Sequence, residues 1–249
     1  MSTSITLCTL AARYKTNIMI QIKRPQPTQL EAVLFDLDGT LIDTAPDFIT
    51  VVNQLCRLKN HPEQSAEAIR ATVSHGARAL ITLAFQLPEG DPAFEPLRQQ
   101  LLALYQKNLA VQTQLFPGMN ELLDWLELQA IPWGIVTNKP RLYAEPILVA
   151  LSLAERCAVL VCPDDVTHTK PHPEPMLLAC REIACNPQRT LYIGDHRRDI
   201  EAGLNAAMTT IAANYGYIDA NDPSELWQAD YAVNHASEIQ PLLCELFAL

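Results

Sequence analysis

The sequence predicts an α/β fold, a mostly parallel sheet with helices on both faces, interrupted by one all-helical insertion. Three observations carry that expectation. The stretch Val33-Leu34-Phe35-Asp36-Leu37-Asp38-Gly39-Thr40 is an apolar run that ends abruptly in two carboxylates, a glycine and a hydroxyl. That is how a buried strand looks when it delivers charged groups to a sheet edge. Residues 46–115 then carry only helix-period apolar patterns, and from Phe116 short strand and helix patterns alternate. Alternation of this kind implies βα units and a parallel sheet covered on both faces.

Taken in order, Thr44 reads as a helix cap, followed by Pro46 and an acid, Asp47, in the first turn. Phe48, Val51, Val52, Leu55 and Leu58 recur at helical spacing behind it. A second helix is expected through Ala79, Leu80, Leu83, Ala84 and Leu87. A third, opened by Asp91-Pro92, runs through Phe94, Leu97, Leu101, Leu104 and Tyr105. The alternating part predicts helices over 118–128, 141–151, 175–184 and 200–206, and strands over 132–137, 158–162, 190–194 and 209–212. Residues 1–29 are thus an N-terminal extension, 30–45 and 116–249 a Rossmann-like core, and 46–115 a helical unit inserted after the first strand.

Composition bounds the chemistry. Of 249 residues, 49% are apolar and 18% charged, which suits one soluble domain with an insertion. The net charge of -10, with no clustered basic face, argues against nucleic acid and leaves small molecules as partners. Cys8, Cys56, Cys157, Cys162, Cys180, Cys185 and Cys244 form no C-x-x-C pair and no zinc spacing, so they read as buried thiols of a reducing compartment. No run is long enough to span a membrane, and the cytoplasm is the expected location. The extension carries Arg13, Lys15, Lys23 and Arg24 and no acid, and its apolar residues are too interrupted for a signal peptide. It is expected to be poorly ordered, with Met19 an alternative start. A monomer or a homodimer is expected.

The spacing Asp36-Leu37-Asp38 has its own physical meaning. In extended backbone both carboxylates point to one side, and two anions so placed favour a cation such as Mg²⁺, which prefers oxygen ligands. Gly39 permits a positive φ or a close approach, and Thr40 offers a hydroxyl and an N–H to an anion. Three further strand ends carry polar residues: Thr137-Asn138-Lys139, the segment through Lys170-Pro171, and Asp195-His196-Arg197-Arg198-Asp199. Each alone is compatible with ordinary loop chemistry; together, in this order, they form a constellation.

That constellation resembles the haloacid dehalogenase-like phosphohydrolase superfamily, whose motifs are matched by Asp36-x-Asp38-Gly39-Thr40, Thr137, Lys170 and Gly194-Asp195-x-x-x-Asp199. The resemblance covers residues 30 to about 240 and makes the insertion a cap domain. Within the superfamily the chain is similar to the phosphoglycolate phosphatase subgroup. Asp43-Thr44-Ala45-Pro46-Asp47-Phe48, Gly76-Ala77-Arg78-Ala79, Val136-Thr137-Asn138-Lys139-Pro140, Ala144-Glu145-Pro146-Ile147 and Tyr215-Gly216-Tyr217-Ile218 narrow the likeness to the N-acetylmuramic acid 6-phosphate phosphatases of peptidoglycan recycling.

The resemblance implies a phosphomonoesterase in which Asp36 attacks phosphorus and Asp38 protonates the leaving oxygen and then activates water. Mg²⁺ would lie between Asp36, the Asp38 backbone carbonyl and Asp195, with Asp199 steadying it. Thr137 and the Asn138 N–H would hold phosphate oxygens, and Lys170 would neutralise Asp36 and the transferring group. The substrate expected is a small carboxylate-bearing phosphate ester, N-acetylmuramic acid 6-phosphate first and 2-phosphoglycolate as the alternative. A sugar phosphomutase keeps the same motifs, and a catalytically idle binding protein of the same fold usually loses one; none is lost here.

Two further expectations concern other residues. Ser74-His75-Gly76-Ala77-Arg78, between the first two predicted helices, is expected to reach the cleft, where Arg78, with His75 and Lys139, pairs with the substrate's carboxylate. His168 and His172 flank Lys170 at a helical spacing that Pro171 and Pro173 rule out, and they read as loop residues.

Overall fold

The structure, a computed structural model, describes residues 29–247; the expectations for residues 1–28 lie outside them. The chain opens with β1 (Ala32–Phe35) and a two-residue strand β2 (Ile42–Asp43). Four helices follow, α1 (Ala45–Leu58), α2 (Ala66–Thr72), α3 (Gly76–Phe85) and α4 (Phe94–Lys107). The chain returns through β3 (Gln114–Leu115) and continues as α5 (Met119–Leu128), β4 (Trp133–Val136), α6 (Arg141–Ala150), β5 (Leu160–Val161) and α7 (Glu174–Glu182). It ends with β6 (Thr190–Gly194), α8 (Arg197–Asn205), β7 (Thr209–Ala213), β8 (Tyr231–Val233) and α9 (Ile239–Phe247).

The expected α/β architecture is borne out. A six-stranded sheet has the order β5-β4-β1-β6-β7-β8, with every pair parallel. β1 is central, and Phe35 lies level with Ile135 of β4 and Ile193 of β6, so the residues just beyond those strands converge at one edge. Successive strand residues serve opposite faces. Val33, Phe35, Ile135 and Ile193 pack with Leu122 of α5, Ile147 of α6 and Leu243 of α9, whereas Leu34, Val136 and Tyr192 pack with Met176 of α7 and Ala202 of α8. Because both faces are covered, β1 is buried at every position and reads as a continuous apolar run rather than an alternation. Truncating Phe35 or Trp133 to alanine should cost about 3–5 kcal/mol.

The insertion departs from its expected outline in two places. Residues 114–115 are strand rather than helix: β3 pairs antiparallel with β2, closing a stem where the chain leaves the core and returns. Asp47, read as a first-turn acid, clamps that stem, since its carboxylate accepts the Gln112 N–H at 2.8 Å and the Thr113 hydroxyl at 2.6 Å. The sequence also hides α2, whose one buried residue, Ile69, makes no period; its start is marked by the Ser65 hydroxyl, which accepts the Ala68 N–H. The segment 74–78 therefore follows the second helix of the insertion, as a 3₁₀ turn (Val73–His75) and the first turn of α3. Phe48, Leu55, Leu80, Leu101 and Tyr105 join the same apolar cluster as one face of the sheet, so insertion and core share a continuous interior. No helix among the described residues is long and apolar enough to cross a membrane.

Candidate active site

The carboxyl edge of β1, β4 and β6 gathers the charged groups. Asp36 directly follows β1, its backbone N–H donating to the Ile193 carbonyl at 2.8 Å, and its side chain is 4% exposed. Lys170 Nζ lies 2.7 Å from Asp36 Oδ1 and 2.7 Å from Asp199 Oδ1, and also donates to the Val136 carbonyl and the Tyr192 hydroxyl. The lysine loop is held by an amide pair with Asn138, whose side chain donates to the Lys170 carbonyl at 3.1 Å and accepts its N–H at 3.2 Å.

Asp36, Asp195 and Asp199 each bring an oxygen within 4.8 Å of the others, all three buried. Burial, with Lys170 opposing and Asp199 reinforcing, pushes the Asp36 carboxyl up to about 6. Burial together with the Asp36 and Asp199 charges pushes Asp195 up to about 8. Three buried carboxylates, with Lys170 paired to two of them and the Arg198 charge nearby, still carry an excess of negative charge, and a donor set made only of carboxylate oxygens suits a hard divalent cation. The residues present therefore fit such an ion.

Asp195 is tightly supported: the Thr40 hydroxyl donates to Oδ1 at 3.2 Å, the Tyr217 N–H to Oδ2 at 2.8 Å, and the Ser74 hydroxyl, from the insertion, to Oδ2 at 3.3 Å. Gly39 has φ +86°, and a Cβ there would meet Asp195 Oδ2 at 2.1 Å, so both the turn and the close approach require glycine. Asp199 accepts the His196 N–H at 3.1 Å at the start of α8, while His196 Nδ1 accepts the Arg198 N–H. Burial and the neighbouring Arg198 hold the His196 imidazole down at about 4, so it is a neutral cap.

Asp38 behaves differently. β1 ends at Phe35 and the chain turns, and Asp36 and Asp38 both line the same cavity. Asp38 Oδ1 accepts from Lys139 Nζ at 2.8 Å and from the Thr44 hydroxyl at 2.6 Å. Thr44 thus occupies the cap position of α1 without capping it, because its side chain serves Asp38. Lys139 also donates to the Tyr105 hydroxyl at 2.8 Å, and Tyr105 stacks on Phe48 with ring centroids 4.0 Å apart. Burial works against the Lys139 charge, but Asp38 and Tyr105 outweigh it and raise its pKa. Burial pushes the Tyr105 phenol up to about 12.

A cavity of about 400 Å³ opens between core and insertion, with Asp36, Asp38, Thr137, Asn138, Lys139 and Tyr105 on its floor and sides. Gly39 and Thr40 do not line it; the Thr40 hydroxyl expected to face an anion is spent on Asp195. Lys139, expected at a substrate carboxylate, is paired with Asp38 instead. His75, Arg78, Arg98, Tyr143 and Arg198 also line the cavity. The Arg78 guanidinium, more than half exposed, lies 2.8 Å from Glu89, and His75 Nε2 lies 4.0 Å from Asp219. Sequence reading passed over Arg198, which bonds the Ser74 carbonyl at 2.7 Å and ties α8 to the insertion. Its place between Asp195 and Asp199 was the available signal.

Comparison with known proteins agrees with this geometry. Residues 33–213 match the family described as Haloacid dehalogenase-like hydrolase. The chain is 47% identical over 215 residues to the N-acetylmuramic acid 6-phosphate phosphatase of Pseudomonas aeruginosa, covering 86% of this chain and 95% of that one. It is 40% identical over 208 residues to a phosphoglycolate phosphatase of Xanthomonas campestris pv. campestris, covering 84% and 94%. The crystal structure of a predicted phosphoglycolate phosphatase from Haemophilus somnus superposes with a TM-score of 0.77 at 28% identity, covering 86% of this chain and 98% of that one. With a parallel sheet that brings Asp36, Lys170, Asp195 and Asp199 to one edge beneath a helical insertion, the chain belongs to the haloacid dehalogenase-like hydrolase family.

Proposed function

We propose that this chain is a Mg²⁺-dependent phosphomonoesterase whose substrate is N-acetylmuramic acid 6-phosphate. The observation that carries the reading is that Asp36, buried and paired with Lys170, and Asp38, partly buried and paired with Lys139, line one cavity. The names of the relatives at 47% and 46% identity support the choice of ester.

In this reading an Asp36 oxygen attacks phosphorus and the ester P–O bond breaks, giving an aspartyl-phosphate and an alcohol whose oxygen takes its proton from Asp38. Water then attacks the same phosphorus and gives its proton to Asp38, releasing inorganic phosphate and restoring Asp36. Lys170, locked by four contacts, holds Asp36 in line and neutralises charge as the phosphoryl group moves. Thr137 and the Asn138 N–H receive phosphate oxygens. Asp36, Asp195 and Asp199 would hold the cation, with Asp38 contributing its backbone carbonyl. Bound there, Mg²⁺ supplies charge neutralisation for the phosphoryl oxygens.

The Lys139 and Thr44 contacts fix the Asp38 carboxyl at the cavity, in reach of the leaving oxygen and of water. A carboxylate on the substrate is the group that would compete with Asp38 for Lys139. Arg78 and His75, on the rim of the same cavity, are placed to share that carboxylate once Arg78 leaves Glu89.

A phosphate-release panel tests the assignment: N-acetylmuramic acid 6-phosphate, 2-phosphoglycolate and p-nitrophenyl phosphate, each with Mg²⁺ and with EDTA. Turnover should need the metal but no bisphosphate activator, and kcat/KM should be highest for the sugar ester. Highest kcat/KM for 2-phosphoglycolate would transfer the assignment to that ester, and activity that survives chelation would remove the mechanism. Arg78→Ala should lower kcat/KM for the carboxylate-bearing ester more than for p-nitrophenyl phosphate, by about 1–3 kcal/mol. Parallel losses would return Arg78 to its contact with Glu89.

A further inference from the structure

Outside the cavity, the loop that delivers Lys170 builds a second cluster of metal-ligating side chains. His168 and His172 do not share a helix, yet the loop folds them together, with ring centroids 4.6 Å apart. Glu174, the first residue of α7, completes the group: one ligand atom from each of His168, His172 and Glu174 lies within 4.8 Å of the others. From this juxtaposition we propose that His168, His172 and Glu174 form a binding site for a borderline divalent cation of the Zn²⁺ class.

The arrangement is built rather than incidental. The Glu174 carboxylate is fixed by two backbone donors, the Thr167 N–H to Oε1 and the His168 N–H to Oε2, both at 2.9 Å. The same Oε2 lies 3.0 Å from His168 Nδ1 and 4.0 Å from His172 Nδ1. The Glu174 N–H donates to His172 Nδ1 at 3.2 Å, which sets the second ring against the carboxylate. Each oxygen keeps lone-pair capacity beyond its backbone donor, and each imidazole has two nitrogens, one of them a ligand atom when the ring is neutral. A cation bound through His168 Nδ1 takes the place of any proton on that nitrogen, and the neutral ring then carries its proton on Nε2.

The donor set decides which ion. Two imidazoles and one carboxylate suit Zn²⁺, whereas the three carboxylates at the sheet edge suit Mg²⁺. The side chains of His168 and His172 are 62% and 51% exposed, so the cation has an open approach and positions left for water. Lys170 lies midway between the two histidines, so a cation here braces the segment that positions it. The inference is independent of the ester proposed above.

The test uses the full chain with Mg²⁺ saturating. Zinc chloride titrated by calorimetry into wild type and into His168→Ala/His172→Ala should show one equivalent lost in the variant, or its Kd raised at least tenfold, with the Mg²⁺ requirement for phosphate release unchanged. An unmutated readout runs beside it: the imidazole ¹H–¹⁵N correlations of His168 and His172 should move together and saturate at one equivalent of Zn²⁺. Equal stoichiometry and affinity in wild type and variant would assign the zinc to thiols or to the sheet-edge carboxylates and overturn the site, as would imidazole signals that do not respond.

Discussion

Two carboxylates, each paired with a lysine, line the same cavity, and the pairs are made in different parts of the molecule. Asp36 and Lys170 meet inside the α/β core, 2.7 Å apart; Asp38 and Lys139 meet at the core's junction with the helical insertion, 2.8 Å apart, where Tyr105 and Thr44 complete the contacts. The geometry is nearly the same but the charge balance is not. On the core side Lys170 is divided between Asp36 and Asp199, with Asp195 adjoining, and burial lifts the Asp36 and Asp195 carboxyls well above the usual carboxylate range. On the insertion side one lysine meets one carboxylate. The contrast teaches that a pair already balanced has no use for a cation, whereas an under-compensated buried cluster has a standing demand for one.

The sharpest way to break this comparison is to alter one member of each pair. Asp36→Asn should lower kcat by at least about a thousandfold, roughly 4 kcal/mol of barrier, because an amide is a poor nucleophile. Its folding stability should stay within about 1 kcal/mol of wild type, since Lys170 keeps Asp199 and the cluster loses a charge that burial disfavours. Activity within tenfold of wild type would end the covalent role, and a large stability loss would mean that the core cluster was balanced after all.

Lys139→Met should do the reverse to stability. It leaves partly buried Asp38 with the Thr44 hydroxyl as its remaining partner and removes the donor to Tyr105; breaking a fully buried pair costs about 3–5 kcal/mol, the upper bound for this one. The Mg²⁺ concentration needed for half-maximal activity should not move. Denaturant unfolding and a metal titration read the two effects separately; a shifted metal requirement would show that the insertion-side pair is not independent of the core cluster.

The smallest expected effect is a dependence on pH. Asp36 and Asp195 are raised from 3.8 to about 6 and about 8, so between those limits the folded chain holds protons that the unfolded chain has released. Without divalent cation, their contribution to stability is greatest at low pH and is lost as pH rises through about 6 and then about 8. A cation competes with protons for the same oxygens. The rise in Tm on adding Mg²⁺ should therefore be slight near pH 5 and grow by a few degrees toward pH 8. A Tm shift that is flat or shrinks with rising pH would place the cation elsewhere.

Much of this was legible because it is local. A continuous apolar run announces a strand buried on both faces, and β1, β4, β6 and β7 were read from such runs. The helix periods of α1, α3 and α4 were likewise visible in Phe48, Leu80 and Leu101. Short elements escaped: α2 has one buried residue and β3 two residues, too few to show any period.

By itself the sequence determined that Asp36, Thr137 and Asp195 follow strand ends and that Lys170 and Asp199 come in the loop and helix after them, since apolar patterning and turn residues act over a few positions along the chain. Only the tertiary structure decided whom those groups meet. Lys170 reaches Asp36 across 134 residues of chain, and Lys139 reaches Asp38 across 101. The loop at 168–174 joined two histidines that helical spacing could not. A side chain's partner depends on the three-dimensional path of the backbone, and no pattern along the chain records it.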